Sequence, residues 1–553
     1  MENRKLMIKY TPLFFALIAF ILINTACEKM LDTDSEKIVL EPDHKLDSPD
    51  EIIYSMIGIL SQLEKLSESY VLLGELRGDL MDASATADPA IREIYEFSVT
   101  SGNKYNNIEN YYSIINDCNY LIQKIDTSIE SHAEKVMYRE FAAAKAIRAW
   151  TYIQMVLNYG TVQYIEEPIL DVADAAKDYP EYSMDELAPV LVAELEPFKD
   201  IPAVESISLG EDITTRNLFF PVRFLLGDLY LWMGDYEQAA KEYHDLMQNQ
   251  SRVITDTYRS EWDVINGVFV DYFDYWSDIF DLVDGDNEQI SMLARSTEYG
   301  AGAPMDSITI YKQVLPSSVA IANWKKQVYF HSASAPNPGD LREVSSYTTE
   351  PRQYYDQETA LFYELDEGVI LKFLNMSTET SSAVQVYRNG LLYLRFAEAV
   401  NRAGKPNAAF AVLKYGMNRI TFESDSIVPV KEKYSNPADS VFFPYLNFTD
   451  PRFNDNIGVH SRGCGNTQFD NDYRIPSLAS SGDSILYVED LIMEELALET
   501  AFEGNRFHDL MRIALRRNSP SYLADKVSEK YDEALKASIR TLLSDPSGWY
   551  IEK

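Results

Sequence analysis

The sequence predicts a mainly α-helical protein, a tetratricopeptide-type helical-repeat scaffold with long irregular insertions that contain short strands. Three observations predict it. Apolar residues recur at helical spacing through 51–66, 109–126, 135–158, 184–198, 217–248, 384–419 and 487–517. Within 220–246, Leu226, Gly227, Tyr230, Gly234, Tyr236, Ala239 and Tyr243 fall at the spacing of a tetratricopeptide helix pair, with small residues where the helices approach and aromatics in the groove between them. Between the helical stretches, 251–383 and 421–485 are rich in Pro, Gly, Ser, Asn and aromatics, with strand-like pieces at 289–293 and 368–373.

In chain order, the first 26 residues read as an export signal. Arg4, Lys5 and Lys9 precede an apolar run from Leu13 to Ile23, which is shorter than the roughly 20 residues a membrane span needs. The run ends at Ala26-Cys27, a small residue before a cysteine, as at a bacterial lipoprotein cleavage site. Cys27 is therefore expected to become the acylated N-terminus. Residues 27–50, with Asp32, Asp34, Glu36, Glu41, Asp43 and Asp47, read as an acidic tether, and 51–553 as one domain. A second helix pair spans 390–416 (Ala397, Gly404, Ala409, Leu413, with Pro406 opening its second helix). Such pairs cannot bury their faces alone, so a further pair is expected at 109–158. Loops as long as the two insertions point to function rather than connection.

The charge narrows the function. With 87 acidic against 49 basic residues the formal net charge is −38, which disfavours nucleic acid and any membrane contact through a basic patch. The 37 Tyr and 25 Phe suit surfaces that stack on a ligand. Cys118 lies in an apolar helical pattern and reads as core, while Cys464, between Gly463 and Gly465, has no assigned role. The histidines show no metal-ligand spacing, and the acidic turn of Asp281, Asp284, Asp286 and Glu288 lacks a calcium-loop pattern and reads as solvated, so neither metal nor cofactor is expected. Neither a Gly-x-Ser-x-Gly turn nor opposed carboxylates suggest an enzyme. A helical-repeat scaffold or adhesin stays open as the alternative, although Arg77-Gly78-Asp79 is read as a chance match to an adhesion tripeptide.

Residues 487–517 read as one helix. Leu491, Leu498 and Phe502 form one apolar edge, Ile492, Leu496, Leu510 and Ala514 another, and Glu495, Glu499 and Arg506 lie between them. Charges inside an apolar arc are expected to pair, here Arg506 with Glu503 and Glu499, which gives Glu495, Glu499, Glu503 and Arg506 a structural role.

The run from Glu495 to Arg512, with Phe502-Glu503-Gly504-Asn505-Arg506-Phe507-His508-Asp509, resembles the C-terminal signature of the SusD/RagB family of Bacteroidetes surface lipoproteins. Tyr387-Arg388 with Leu392 to Arg402, Asn110 to Ile122, and Tyr138 to Gly160 resemble earlier family helices in the same order. Gly458 to Gly463 before Tyr473-Arg474-Ile475-Pro476 is similar to the RagB-like branch. The resemblance implies a non-catalytic nutrient-binding lipoprotein at the outer face of the outer membrane. It would capture oligosaccharides or peptides and deliver them to a SusC-like TonB-dependent transporter. It also implies a pocket built from the segment after the first helix and from the large insertion. Residues of suitable chemistry there are Asp79, Asp82, Arg92 and Tyr95, then Tyr275, Trp276, Tyr299 and Trp324. Trp324 is the preferred stacking residue, because Asn323, Lys325 and Lys326 around it suggest a polar surface.

Overall fold

The chain is described by a computed structural model covering residues 46, 48–131, 134–208, 214–281, 287–296, 304–356, 361–377 and 381–553. The expected signal, most of the tether, Cys27 and Tyr299 lie outside these residues.

The first helix, α1 (Pro49–Leu63), starts where Pro49 removes an N–H that would have no partner, and the Ser48 side chain accepts from Glu51 N. Next come α2 (Ile108–Lys124) and α3 (Tyr138–Tyr159), which pack as a pair, then α4 (Met184–Leu195). The best repeat of the sequence is a helix pair, α5 (Val222–Met233) and α6 (Tyr236–Gln250). A Cβ on Gly227 would lie 2.3 Å from the Tyr243 ring, so only glycine lets the two helices approach this closely. Asp235 caps α6 by accepting from Gln238 N. Arg223, where a tetratricopeptide has an aromatic, is instead ion-paired with Asp200, Glu242 and Asp245. The second copy is α7 (Asn389–Arg402) with α8 (Pro406–Lys414), and α7 also packs on α6.

Two stretches depart from the helices expected of the sequence. Residues 384–388 belong to a strand, Ser381–Arg388, which pairs antiparallel with Gln289–Ser296 and feeds α7. The stretch 487–517 is two helices, α9 (Ser481–Glu499) and α10 (Arg506–Arg516). The break between them has Phe502 at φ 72° and Gly504 at φ 86°. It is held from outside, because the carboxylate of Glu75, on the π-helical turn Leu72–Leu76, accepts from the backbone N–H groups of Phe502, Gly504, Asn505 and Arg506. Those are donors that a helix start leaves without intrahelical partners. The chain ends in α11 (Pro520–Ser528) and α12 (Glu533–Leu543).

The large insertion is built from antiparallel pairs. Glu261–Ile265 pairs with Val268–Phe273, Val328–Ser332 with Ala335–Pro338, Tyr347–Asp356 with Leu361–Ile370, and Val314–Pro316 with Met81–Ala83 behind the first helices. The strand expected at 368–373 stops at Ile370, and Leu371–Asn375 is helical. One continuous apolar core joins frame and insertions; Trp150 stacks on Phe220 at 4.6 Å, and Phe224 on Tyr387 at 3.9 Å. Among the described residues no helix is long and apolar enough to cross a membrane.

Candidate functional site

Charged residues from five parts of the chain meet at the junction of insertions and frame. Glu499, at the end of α9, accepts from Arg342 and Arg388 at 2.7 Å and from Arg462 at 2.8 Å. Arg342 also reaches Glu495 and Asp340, Arg462 and Arg388 reach Glu288, and Arg388 and Lys372 reach Glu503. All are buried. Burial alone would raise the Glu499 carboxyl, but the three guanidinium groups hold it well below the usual carboxylate range. Burial pushes the Lys372 ammonium down to about 8 against the attraction of Glu503, and its Nζ sits 4.7 Å from the Trp276 ring centre. Lone charges here would be prohibitive. The pairs instead pin residues 288, 342, 372 and 462 of the insertions to the C-terminal helix in one arrangement.

The expected partner of Arg506 needs correction. Glu499 and Glu503 are occupied by cations from the insertions and from the Ser381–Arg388 strand. Arg506 pairs with Asp79 through Nε to Oδ1 at 2.6 Å and NH2 to Oδ2 at 2.8 Å, and its NH1 donates to Met493 O. The helix break turns Arg506 away from the face that a continuous helix would have given it. Glu288, expected in a solvated turn, is 1% exposed and holds Arg388 and Arg462.

Beside this centre the insertion presents an aromatic surface. Strands Glu261–Ile265 and Val268–Phe273 are joined by Asn266-Gly267, both at positive φ as a tight hairpin turn requires. Trp262 faces Tyr272 at 5.6 Å and Phe269 at 5.8 Å; Phe273 and Tyr275 lie nearly parallel at 6.1 Å and are 51% and 43% exposed. The hairpin is tied down by Ser260 N–H donating to Arg462 O and by Trp262 N–H donating to Tyr329 OH. Asp274 and the Arg259–Glu261 pair supply polar groups at its edge. Exposed rings with polar neighbours can stack on the apolar face of a sugar or a peptide side chain and hydrogen-bond around its rim. The Asn-Gly pair between two alternating runs is the sequence signal that would have located this hairpin.

The fold does not gather the seven predicted ligand residues that are described into one place; Tyr299 lies outside the described residues. Tyr275 lies on the aromatic surface, and Arg92 is exposed on the short helix Pro89–Tyr95. The Tyr95 hydroxyl lies beside the Asp82 carboxyl, and its half-buried ring packs on Tyr531 at 4.7 Å, with Lys530 Nζ 4.6 Å away. Asp79 is enclosed with Arg506, which also rules out display of Arg77-Gly78-Asp79. Trp276 is fully buried against Phe280 and Lys372. Trp324 is the clearest correction. On the helix Ser318–Lys325, successive residues point about 100° apart, so its polar neighbours say nothing of its own direction. The indole is fully buried, lies 6.0 Å from both Tyr347 and Phe502, and donates to Leu498 O at 3.2 Å.

No family model and no curated protein matches the chain. Solved structures do. A SusD superfamily protein from Bacteroides thetaiotaomicron is 17% identical at a TM-score of 0.56, with 88% of this chain and 93% of that one covered. A second from the same organism is 14% identical at 0.55, covering 92% and 95%. A Bacteroides vulgatus chain described as a candidate sugar-binding protein is 16% identical at 0.55, covering 85% and 88%. The helical-repeat frame and its insertions therefore have the fold of the SusD superfamily.

Proposed function

We propose that this chain is a non-catalytic nutrient-binding surface lipoprotein. It captures an oligosaccharide or a peptide and hands it to a SusC-like TonB-dependent outer-membrane transporter, while acyl chains on Cys27 hold it at the outer face of the outer membrane. The observation that carries the reading is the exposed aromatic hairpin on a SusD-type frame, and the sugar-binding description of one structural neighbour supports it. Binding rests on the stacking surface of Phe273 and Tyr275, with Asp274 and Arg259 at its rim. The test is calorimetry of the parent and a Phe273→Ala/Tyr275→Ala variant against panels of oligosaccharides and peptides. Losing both rings should weaken binding by about 1–3 kcal/mol with folding retained. A variant that binds as tightly as the parent removes the hairpin from the site. A chain that binds neither panel favours the scaffold reading, to which the exposed Ile265, Val268 and Val270 of the same hairpin would lend a protein-contact surface.

A further inference from the structure

Cys464, Asp340 and His460 come together although 120 residues of sequence separate Asp340 from the other two. Their ligand atoms all lie within 4.8 Å of one another, and all three side chains are buried. Cys464 Sγ stands 3.4 Å from Asp340 Oδ2. In a tetrahedral zinc site, bonds of about 2.3 Å to sulfur and 2.0 Å to oxygen place two such ligands about 3.5 Å apart.

The surrounding residues hold these groups as metal ligands are usually held. Glu495 Oε2 lies 2.7 Å from His460 Nδ1. A carboxylate can only accept, so in the neutral ring Nδ1 carries the proton and Nε2 keeps its lone pair, as in the carboxylate–histidine arrangement behind many metal-bound imidazoles. Asp340 is oriented by Arg342, whose backbone N and Nε donate to Oδ1 and whose NH2 donates to Oδ2. The two segments are locked together, with Leu341 N–H donating to Gly463 O, and a Cβ on Gly463 would sit 1.7 Å from Asp340 Oδ1.

Charge balance is compatible with a bound cation. Among the described residues the buried centre holds the carboxylates of Glu288, Asp340, Glu495, Glu499 and Glu503 against the cations Arg342, Lys372, Arg388 and Arg462. With His460 neutral one negative charge is left over, at the end where Asp340 and Glu495 share Arg342; a protonated His460, paired with Glu495, would balance it without a metal. A divalent cation bound with release of the Cys464 proton would make the centre neutral.

We propose that Asp340, His460 and Cys464 form a structural zinc site, with His460 binding through Nε2 and Glu495 and Arg342 as its supporting shell. Sulfur, imidazole and carboxylate together suit zinc better than calcium or magnesium, which prefer oxygen alone. Because the ligands are enclosed, the metal enters as the chain folds.

The test uses the full chain, refolded from denaturant with Zn²⁺ or Co²⁺ and then dialysed against a weak chelator. About one metal per chain should remain, and the Co²⁺ form should show the near-ultraviolet charge-transfer band of a cobalt–thiolate bond. That band should persist in Cys27→Ala and vanish in Cys464→Ser, and retention should fall at least tenfold in Cys464→Ser and His460→Gln. Parent protein that retains no metal overturns the proposal. So does a Co²⁺ form without the thiolate band, a readout that holds even if the variants fail to fold. Equal retention by a folded Cys464→Ser overturns it as well.

Discussion

The Asp79–Arg506 pair is the sharpest place to test how the C-terminal signature works, because sequence and structure assign Arg506 different partners. Both side chains are buried, and two hydrogen bonds of 2.6 and 2.8 Å join them. Asp79→Leu leaves Arg506 charged and buried with only Met493 O to receive its protons, and Arg506→Met leaves a bare carboxylate. Each should cost about 3–5 kcal/mol, the usual result of breaking a buried pair from one side. Replacing both removes both desolvated charges, so the double variant should lose far less than the sum, with a coupling of at least about 2 kcal/mol. Guanidinium denaturation followed by tryptophan fluorescence measures all four proteins, with the shift in midpoint read at constant slope. Combining Arg506→Met with Glu499→Gln provides the control, since Glu499 is bound by Arg342, Arg388 and Arg462; those effects should add within about 0.5 kcal/mol. Additive losses at Asp79 and Arg506, or strong coupling of Arg506 to Glu499, would refute the pairing.

Trp324→Ala should destabilise the fold by about 3–5 kcal/mol, as loss of a buried indole does; unchanged stability would put the ring at the surface after all. Gly504→Ala should cost more than about 1 kcal/mol, because φ is 86° and the added Cβ would meet the Tyr70 ring at 2.6 Å; a neutral result in thermal unfolding would contradict the tight break. Burial pushes the Glu75 carboxyl up to about 7 despite its four backbone donors. With its folded value above the unfolded 4.5, its contribution is complete below pH 4.5 and is lost as pH rises through 7, a swing on the order of 3 kcal/mol. Glu75→Gln should remove that slope from stability-against-pH curves, and identical slopes would show that folding leaves the Glu75 carboxyl unshifted.

The helical frame was legible because it obeys local rules. Gly227, Gly234 and Tyr243 sit at spacings dictated by two helices in contact, and the structure places Gly227 against Tyr243. The break after Glu499 was not legible, because its determinant is Glu75, more than 400 residues away, and the apolar periodicity runs on through it. Arg506 was assigned to the wrong carboxylates for that reason, since a helix that turns redirects every later side chain. Trp324 failed for a different reason. Polar neighbours on a helix mark its outer face, and the residue between them belongs to the inner one. The aromatic hairpin was within reach, because Asn266-Gly267 between two alternating runs is a local signal. What could not be read locally was that Arg342, Arg388 and Arg462 converge on Glu499, since no spacing in the sequence links them.

That convergence bears on the proposed binding surface even though none of its members faces solvent. An apolar contact between insertion and frame could slide by an ångström at little cost, whereas a guanidinium that loses a carboxylate in a dry interior loses several kcal/mol. Breaking several such pairs at once is the cost that opposes any shift of the insertion from its docked geometry. Arg462 lies at the centre of this arrangement. Its side chain holds Glu288 and Glu499, and its backbone carbonyl accepts from Ser260, the residue just before the aromatic hairpin. Ser260 Oγ in turn accepts from Trp276 N and donates to Asp274, so the turn that carries Tyr275 is fixed within two hydrogen bonds of the charged centre. For the proposed binding role, a stacking surface held this rigidly would give up little motional freedom on taking a ligand. The insertion thus behaves as part of the frame where it meets Arg462.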